Sequence, residues 1–346
     1  MAPYTYDRYG LTSNPFRELA SESLQDVEIF HVNLKVDDQL RSIREEVLEK
    51  DNRAVVAIVG GYGSGKTERL LVSQAEAKDR GAFSVYLDVT DKATWVLRSL
   101  SQEFLKAAAA AKLTKTFSTP KWVSKMQSLG KIKDEKYDPV QAGNDIADSL
   151  NSTAPSFLLL NDLHNLTETA EVDAFGKTLQ ELFDTIRPGV LLMFGCYTNY
   201  LVWLIKNRPA LASRINRAFT LPKLTTDEAA LLLAKKMLAK RVVEDLDPIF
   251  PFDREAIAEL NSSASGNPRR LLEMADLAIE YGIEHRSYRV DADVVRAVIL
   301  DKDMASIPSA ANGSSLPQTN PSKVEAGPTQ RTPVIQPGEP TTQRSP

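Results

Sequence analysis

Gly60-Gly61-Tyr62-Gly63-Ser64-Gly65-Lys66-Thr67 fits the phosphate-loop pattern G-x-x-x-x-G-K-[ST] at every fixed position. Its flanks fit as well. Ala54-Val55-Val56-Ala57-Ile58-Val59 is a continuous apolar run and predicts a buried strand. Glu68-Arg69-Leu70-Leu71-Val72 predicts the opening of a helix. Strand, glycine loop and helix, in that order, are the setting the motif requires. Glycines at 60, 61, 63 and 65 reach backbone angles closed to other residues and keep side chains out of a phosphate's path. Successive N–H groups can then face inward as an anion nest, with the positive end of the helix behind them. Lys66 is placed for β- and γ-phosphates, and the Thr67 hydroxyl for Mg²⁺. Tyr62, Ser64 and Glu68 complete the expected contact set. The pattern implies binding of a nucleoside triphosphate; hydrolysis is a separate matter.

The 346 residues suffice for one large or two modest domains. Hydrophobic residues make up 42% and charged residues 25%, ordinary for a soluble globular chain. A net charge of −4 excludes a global basic field that would draw nucleic acid. Cys196 is the only cysteine, so no internal disulfide can form, which suits a reducing compartment. Residues 1–8 lack an apolar signal core, and no run approaches the ~18 apolar residues of a membrane span. The expected location is the cytoplasm.

Outward from the loop, apolar patterning predicts alternating elements. Helical spacing covers 36–50, 92–112 and 170–186. Strands are predicted at 83–89, 157–160, 190–194 and 218–221. Five strands interleaved with helices predict a parallel α/β sandwich. From Leu224 only helices are expected: 225–240, opened by the capping box Thr225-Thr226-Asp227-Glu228, then 253–262, 268–282 and 291–301. Tyr9-Gly10-Leu11 through Asn14-Pro15-Phe16 reads as a fixed loop docking Leu11 and Phe16 on a core. Beyond residue 304 lie eight of the nineteen prolines and no aromatic, a composition that predicts disorder. The expected division is an N-terminal segment 1–35 near the nucleotide, an α/β domain 36–223, a helical domain 224–303 and a disordered tail 304–346.

Residues 106–136 carry a local charge of +6: Lys106, Lys112, Lys115, Lys121, Lys125, Lys131, Lys133 and Lys136 against Asp134 and Glu135, with Trp122 among them. Two readings stand: a solvated helical face or loop insertion, and a phosphate-binding patch for DNA.

The second acidic element is Leu158-Leu159-Leu160-Asn161-Asp162-Leu163-His164. In many phosphate-loop ATPases a buried strand ends in two acids: one organises Mg²⁺, the other orients or deprotonates the attacking water. In one register Asn161 takes the metal position and Asp162 the base position. In the other Asp162 is the metal acid and Leu163 falls where the base should be. Either way one acidic role is unfilled. His164 stands beside this element, and no Cys/His zinc cluster, nucleophile elbow or guanine-selective N-K-x-D sequence is present.

Phosphate loop, extra strand, acidic strand end, polar strand end and helical lid, in that order, resemble the AAA+ ATPases over residues 9–303, and especially the origin-recognition-type group and the ATPase helpers of transposition and secretion. The resemblance implies ATP and Mg²⁺ as cofactors. It implies that Thr198 or Asn199, after the strand ending at Gly195, is a polar sensor of the γ-phosphate. It implies that Arg214, in Ser213-Arg214-Ile215, is a finger acting on the nucleotide of a neighbouring subunit in a homo-oligomer or with a related AAA+ subunit. It makes Arg269, in Gly266-Asn267-Pro268-Arg269-Arg270, the lid sensor, with Arg270 the weaker candidate. It places Phe30, His31 and Val32 by the adenine. DNA is the cargo it suggests, through the lysines of 106–136; no winged-helix segment follows the lid, so sequence-specific origin binding is not expected. The function implied is an oligomeric ATP-dependent switch or remodelling factor. Asn161 motivates a second reading: an ATP-clamped scaffold or signalling protein with little or no hydrolysis.

Overall fold

The fold was analysed in a computed structural model, which describes residues 5–17, 27, 31–49, 52–113, 120–243 and 245–306. Phe30, Lys115 and the tail beyond 306 lie outside the described residues.

Helix α1 (Lys35–Glu49) leads to β1 (Ala54–Val59), the phosphate loop and α2 (Lys66–Asp79). Then come β2 (Phe83–Asp88), α3 (Ala93–Ala110), α4 (Lys121–Leu129), α5 (Pro139–Ser152) and β3 (Ser156–Asn161). Next are α6 (Thr169–Thr185), β4 (Val190–Cys196), α7 (Thr198–Asn207), α8 (Pro209–Ala212) and β5 (Arg217–Thr220). Four helices follow: α9 (Thr226–Leu238), α10 (Arg254–Ser263), α11 (Pro268–Glu284) and α12 (Ala292–Ser306). No described helix is long and apolar enough to cross a membrane.

The five strands form one parallel sheet in the order β2-β3-β4-β1-β5. The three central strands are buried along their whole length, which explains their continuous apolar runs. Successive side chains alternate between two cores. Val56, Ile58, Leu159 and Met193 face α1, α2, the N-terminal segment and the helices after β5. Val55, Ala57, Leu158, Leu160 and Phe194 face α3 to α6. Because all strands run the same way, their C-terminal ends share one edge. The chain leaves β1 toward β2 on one side and reaches β5 on the other, so a crevice opens at the end of β1.

Residues 5–17 dock on the C-terminal helices. Tyr9, Leu11 and Phe16 are fully buried, and each such side chain is worth about 1.5–3 kcal/mol. The Tyr9 hydroxyl donates to the Ser287 carbonyl at 2.8 Å. Asn14 donates to the Glu280 carboxylate at 3.0 Å. Farther along, Asp37 ties the start of α1 to α2. Its carboxylate accepts from Arg69 Nε at 3.2 Å, Arg69 Nη2 at 3.1 Å and the Leu34 N–H at 2.7 Å.

The basic stretch proves to be two kinds of surface. One face of α4 is core: Trp122, Val123, Met126 and Leu129 are buried, and Trp122 packs edge-on against Phe104. Trp122 therefore has no face free to stack on a base. Lys125 reaches Asp145 at 3.2 Å and Asp148 at 2.5 Å on α5. Lys112, Lys121, Lys131, Lys133 and Lys136 are exposed. Helix α5 was not among the elements predicted from sequence. Asp138 caps it by accepting from the Val140 and Gln141 N–H groups, with Pro139 in the first turn. Its inner face mixes Ile146 and Leu150 with the small residues Ala142, Gly143, Ala147 and Ser149; a Cβ on Gly143 would lie 2.5 Å from the Thr178 carbonyl of α6.

Asp37 and Arg69 are both about 4% exposed at the side chain. Asp37→Ala would strip the buried Arg69 guanidinium of its closer carboxylate and leave only Glu68 at 3.5 Å, so it should lower the unfolding free energy by about 3 kcal/mol in urea titration. A loss below about 1 kcal/mol, the range of exposed pairs, would contradict this account of the α1–α2 junction.

Candidate functional site

The phosphate loop turns at the crevice. Gly63 and Gly65 sit at φ +72° and +91°, angles that favour glycine. A Cβ on Gly60 would fall 2.3 Å from the Ser64 hydroxyl. Lys66, the first residue of α2, is 6% exposed and donates to the Gly60 and Gly61 carbonyls at 3.1 and 3.0 Å. Burial pulls its ammonium below the usual lysine value, and Asp162 opposes that shift. The Ser64 hydroxyl is buried without a hydrogen-bond partner among the described residues. An unpaired donor in a glycine cradle at a helix N-terminus fits an anionic phosphate.

A cavity of about 700 Å³ adjoins the loop, within the range of small-ligand sites. Tyr62, Gly63, Ser64, Gly65, Lys66, Thr67 and Glu68 all line it, and so do Asp162 and Arg269. Gly60 and Gly61 line a second cavity on the other flank of the loop, together with Thr198 and Arg270. Thr198 is exposed there, and Asn199 points toward a groove along α7 instead.

At the end of β3 the Thr67 hydroxyl donates to Asn161 Oδ1 at 3.2 Å. Asn161, not Asp162, is thus the partner of the residue expected at Mg²⁺. Leu163, the base position of the other register, is 1% exposed within the core and cannot face the nucleotide. Asp162 takes the left-handed conformation at φ +54° and presents its carboxylate to the cavity. Among the described residues no three His, Cys, Asp or Glu form a ready cation cage. The hydroxyl, amide and carboxylates present suit Mg²⁺ shared with phosphate oxygens, as that ion prefers.

Tyr197 follows β4 and was not singled out from sequence. Its ring lies 4.7 Å from Lys66 Nζ and 3.6 Å from the His164 ring, centre to centre. His164 is 3.9 Å from Asp162. Burial lowers the His164 pKa, Asp162 opposes this, and Lys66 adds to the lowering. His164 is therefore a neutral wall of the site near pH 7. Cys196 is buried beside it, its thiol pushed up to about 12 by burial, which Lys66 partly offsets. Asp88, at the end of β2, also lines the cavity.

The opposite wall comes from α9 and α11. Leu232, Lys236, Pro268 and Leu272 line it. The Arg269 N–H donates to the Gly63 carbonyl at 3.3 Å, and Asn267 Nδ2 donates to the Tyr62 carbonyl at 2.8 Å. The Arg269 guanidinium lies 4.8 Å from the centre of the Tyr62 ring. Its Nε is buried without a hydrogen bond among the described residues, with Glu273 at 3.5 Å. His31 binds the Glu68 carboxylate at 2.7 Å, and Val32 is buried beside Arg69. Burial alone would raise the Glu68 pKa; the His31 bond and Arg69 outweigh it and hold Glu68 below its usual value.

Arg214 sits apart. It precedes β5, and the adjoining Asn216 N–H bonds the Val55 carbonyl at the entry end of β1. The phosphate loop leaves the exit end, a six-residue strand or about 20 Å away. Arg214 cannot reach the nucleotide of its own chain. It pairs with Asp184 at the end of α6, Nη2 to Oδ2 at 2.7 Å.

A methyl group at position 63 would meet Arg269 Cβ at 2.5 Å in a left-handed backbone. Gly63→Ala should cost about 1–2 kcal/mol in backbone strain alone and separate α11 from the loop. Thermal melts should fall, and amide exchange at Arg269 should quicken. Unchanged exchange there would refute the contact's importance.

No protein-family model and no curated protein matches this sequence. Solved structures do resemble it. The Aeropyrum pernix ORC2 protein in its ADPNP–ADP complexes is 15% identical with a TM-score of 0.52, over 82% of this chain and 73% of that one. Its ADP form gives the same identity and TM-score over 83% and 72%. The Thermotoga maritima RuvB Holliday junction branch migration motor is 13% identical with a TM-score of 0.45, over 82% and 72%. At such identity the likeness to the Aeropyrum protein speaks for architecture: this chain has the five-stranded fold of the AAA+ ATPases, as its ordered motifs implied.

Proposed function

We propose that this chain binds ATP with Mg²⁺ between the phosphate loop and the helices after β5, and acts as an oligomeric AAA+ switch that hydrolyses ATP. The observation that carries this reading is the shared cavity: Lys66 and Thr67 face it from one side and Arg269 from the other. Bound nucleotide would hold the two walls together, and its loss would release them, a population shift driven by differential affinity. Residues 224–303 are then the lid. Mg²⁺ would neutralise charge on the phosphates, with Thr67 and Asn161 oriented to hold it. Asp162 is assigned the carboxylate that orients or deprotonates water, Thr198 the polar contact near the γ-phosphate, and Arg269 the lid contact.

Arg214 is assigned to a neighbouring subunit's nucleotide. Its position at the sheet's entry edge supports an action in trans, and the Asp184 pair would hold it in reserve until subunits meet. DNA is proposed as the partner through the exposed lysines 112, 121, 131, 133 and 136. Lys125 and Trp122 are left out of that surface, because the one is paired and the other buried. The second reading, an ATP-clamped scaffold with little turnover, draws on the neutral amide of Asn161 beside Thr67.

Phosphate release and ATP binding should be measured together. Lys66→Ala should weaken ATP binding by at least about tenfold, through loss of a charge-assisted contact. Arg214→Ala should keep binding but lose about 10³-fold in turnover, with activity recovered when mixed with Lys66→Ala subunits. ATP binding with wild-type turnover no greater than that of Lys66→Ala would leave the scaffold reading. Absence of ATP binding would end both.

Labelled duplex DNA titrated at two salt concentrations tests the partner. Replacing Lys121, Lys131 and Lys133 with glutamine should flatten the log–log salt slope by about 3. An unchanged slope removes this surface from DNA binding.

A further inference from the structure

The parallel register sets Asp88 of β2 opposite Asn161 of β3, both at the exit edge. Asn161 Nδ2 donates to Asp88 Oδ1 at 2.9 Å and to Asp162 Oδ2 at 3.2 Å. Its Oδ1 accepts from Thr67. An amide nitrogen has two hydrogens to give, and both go to carboxylates. The opposite orientation would aim the amide oxygen at two anions. The amide is therefore fixed by its neighbours.

The same geometry explains why position 161 is neutral. A carboxylate there would have no hydrogen to give and would face two others within hydrogen-bond distance, a like-charge cluster that disfavours ionisation. With Asn161 in the middle, two carboxylates still face the cavity, and they are joined rather than opposed. Asp88 Oδ1 is held twice, by Asn161 and by the Tyr86 hydroxyl at 2.8 Å. Oδ2 of Asp88 is bonded by none of the described residues, and Asp88 lines the cavity with Lys66 and Thr67.

We infer that Asp88 supplies the negative charge for the magnesium-bound nucleotide that Asn161 lacks, so that the metal-facing acid stands on β2 rather than on β3. This inference rests on the nucleotide reading above and goes further: it names a residue on a different strand and reverses the meaning of Asn161. The amide is not a lost acid. It is the bridge that gives one hydrogen to Asp88 and one to Asp162.

The test uses the full chain and ATP, with affinity measured calorimetrically in EDTA and in saturating magnesium. Wild type should bind more tightly with magnesium. In Asp88→Asn that tightening should shrink by about 10- to 100-fold, while affinity in EDTA stays level or rises, because one repulsive charge has left the phosphate site. The exchange variant, Asp88→Asn with Asn161→Asp, should recover most of the tightening. Asn161→Asp alone should recover nothing beyond wild type. A wild-type magnesium response in Asp88→Asn overturns the inference. So does an equal loss in EDTA and magnesium, the mark of structural damage, or no recovery in the exchange variant. ATP binding by wild type that ignores magnesium overturns this inference and the magnesium role but leaves ATP binding at the loop standing; no ATP binding in either buffer overturns both.

Discussion

Every strand of the sheet ends at the same edge, and that single constraint assembles the site. β1 delivers the phosphate loop, β3 delivers Asn161 and Asp162, β4 delivers Tyr197, and β2 delivers Asp88. These residues are scattered over more than a hundred positions of sequence. Burying both faces of the sheet fixes their relative heights, since a one-residue slip would swap the two cores. The polar residues at the edge inherit their precision from apolar packing beneath them. Lys66 illustrates the cost. It is held in a place that disfavours its charge, and two carbonyls of its own loop support it there.

Most of this architecture could be read from sequence because the signals were local. The phosphate loop is eight contiguous residues with fixed types. β1, β3 and β4 are continuous apolar runs, as strands covered on both faces must be. What escaped depended on neighbours distant in sequence. Asp88 looks like the polar end of a strand until β2 is paired with β3. Tyr197 belongs to no motif, and its place shows only when its ring is set against Lys66. Helix α5 hid because Gly143 and its alanines allow close approach without bulk, which weakens the apolar rhythm. Trp122 lies among lysines in the sequence, yet its helical spacing with Met126 and Leu129 is the pattern of a buried face.

Asn161 shows how one substitution changes meaning with its surroundings. Taken alone, an amide at an acid's position implies a weakened metal site. Set between Asp88, Asp162 and Thr67, its nitrogen gives one hydrogen to each carboxylate and its oxygen accepts from the hydroxyl. The quantity to follow is the number of carboxylates facing the cavity, not the residue type at one position.

The wall of the cavity built by α9 and α11 meets the phosphate loop through main-chain and side-chain atoms together. The Gly63 carbonyl accepts from the Arg269 N–H, and the Tyr62 carbonyl accepts from Asn267. The first of these runs through backbone atoms alone, whereas the second needs the Asn267 amide, and the Arg269 guanidinium adds a contact to the Tyr62 ring. As far as the Gly63 bond is concerned any residue with an N–H would serve at position 269, while position 267 is restricted to a side chain that can donate at that reach.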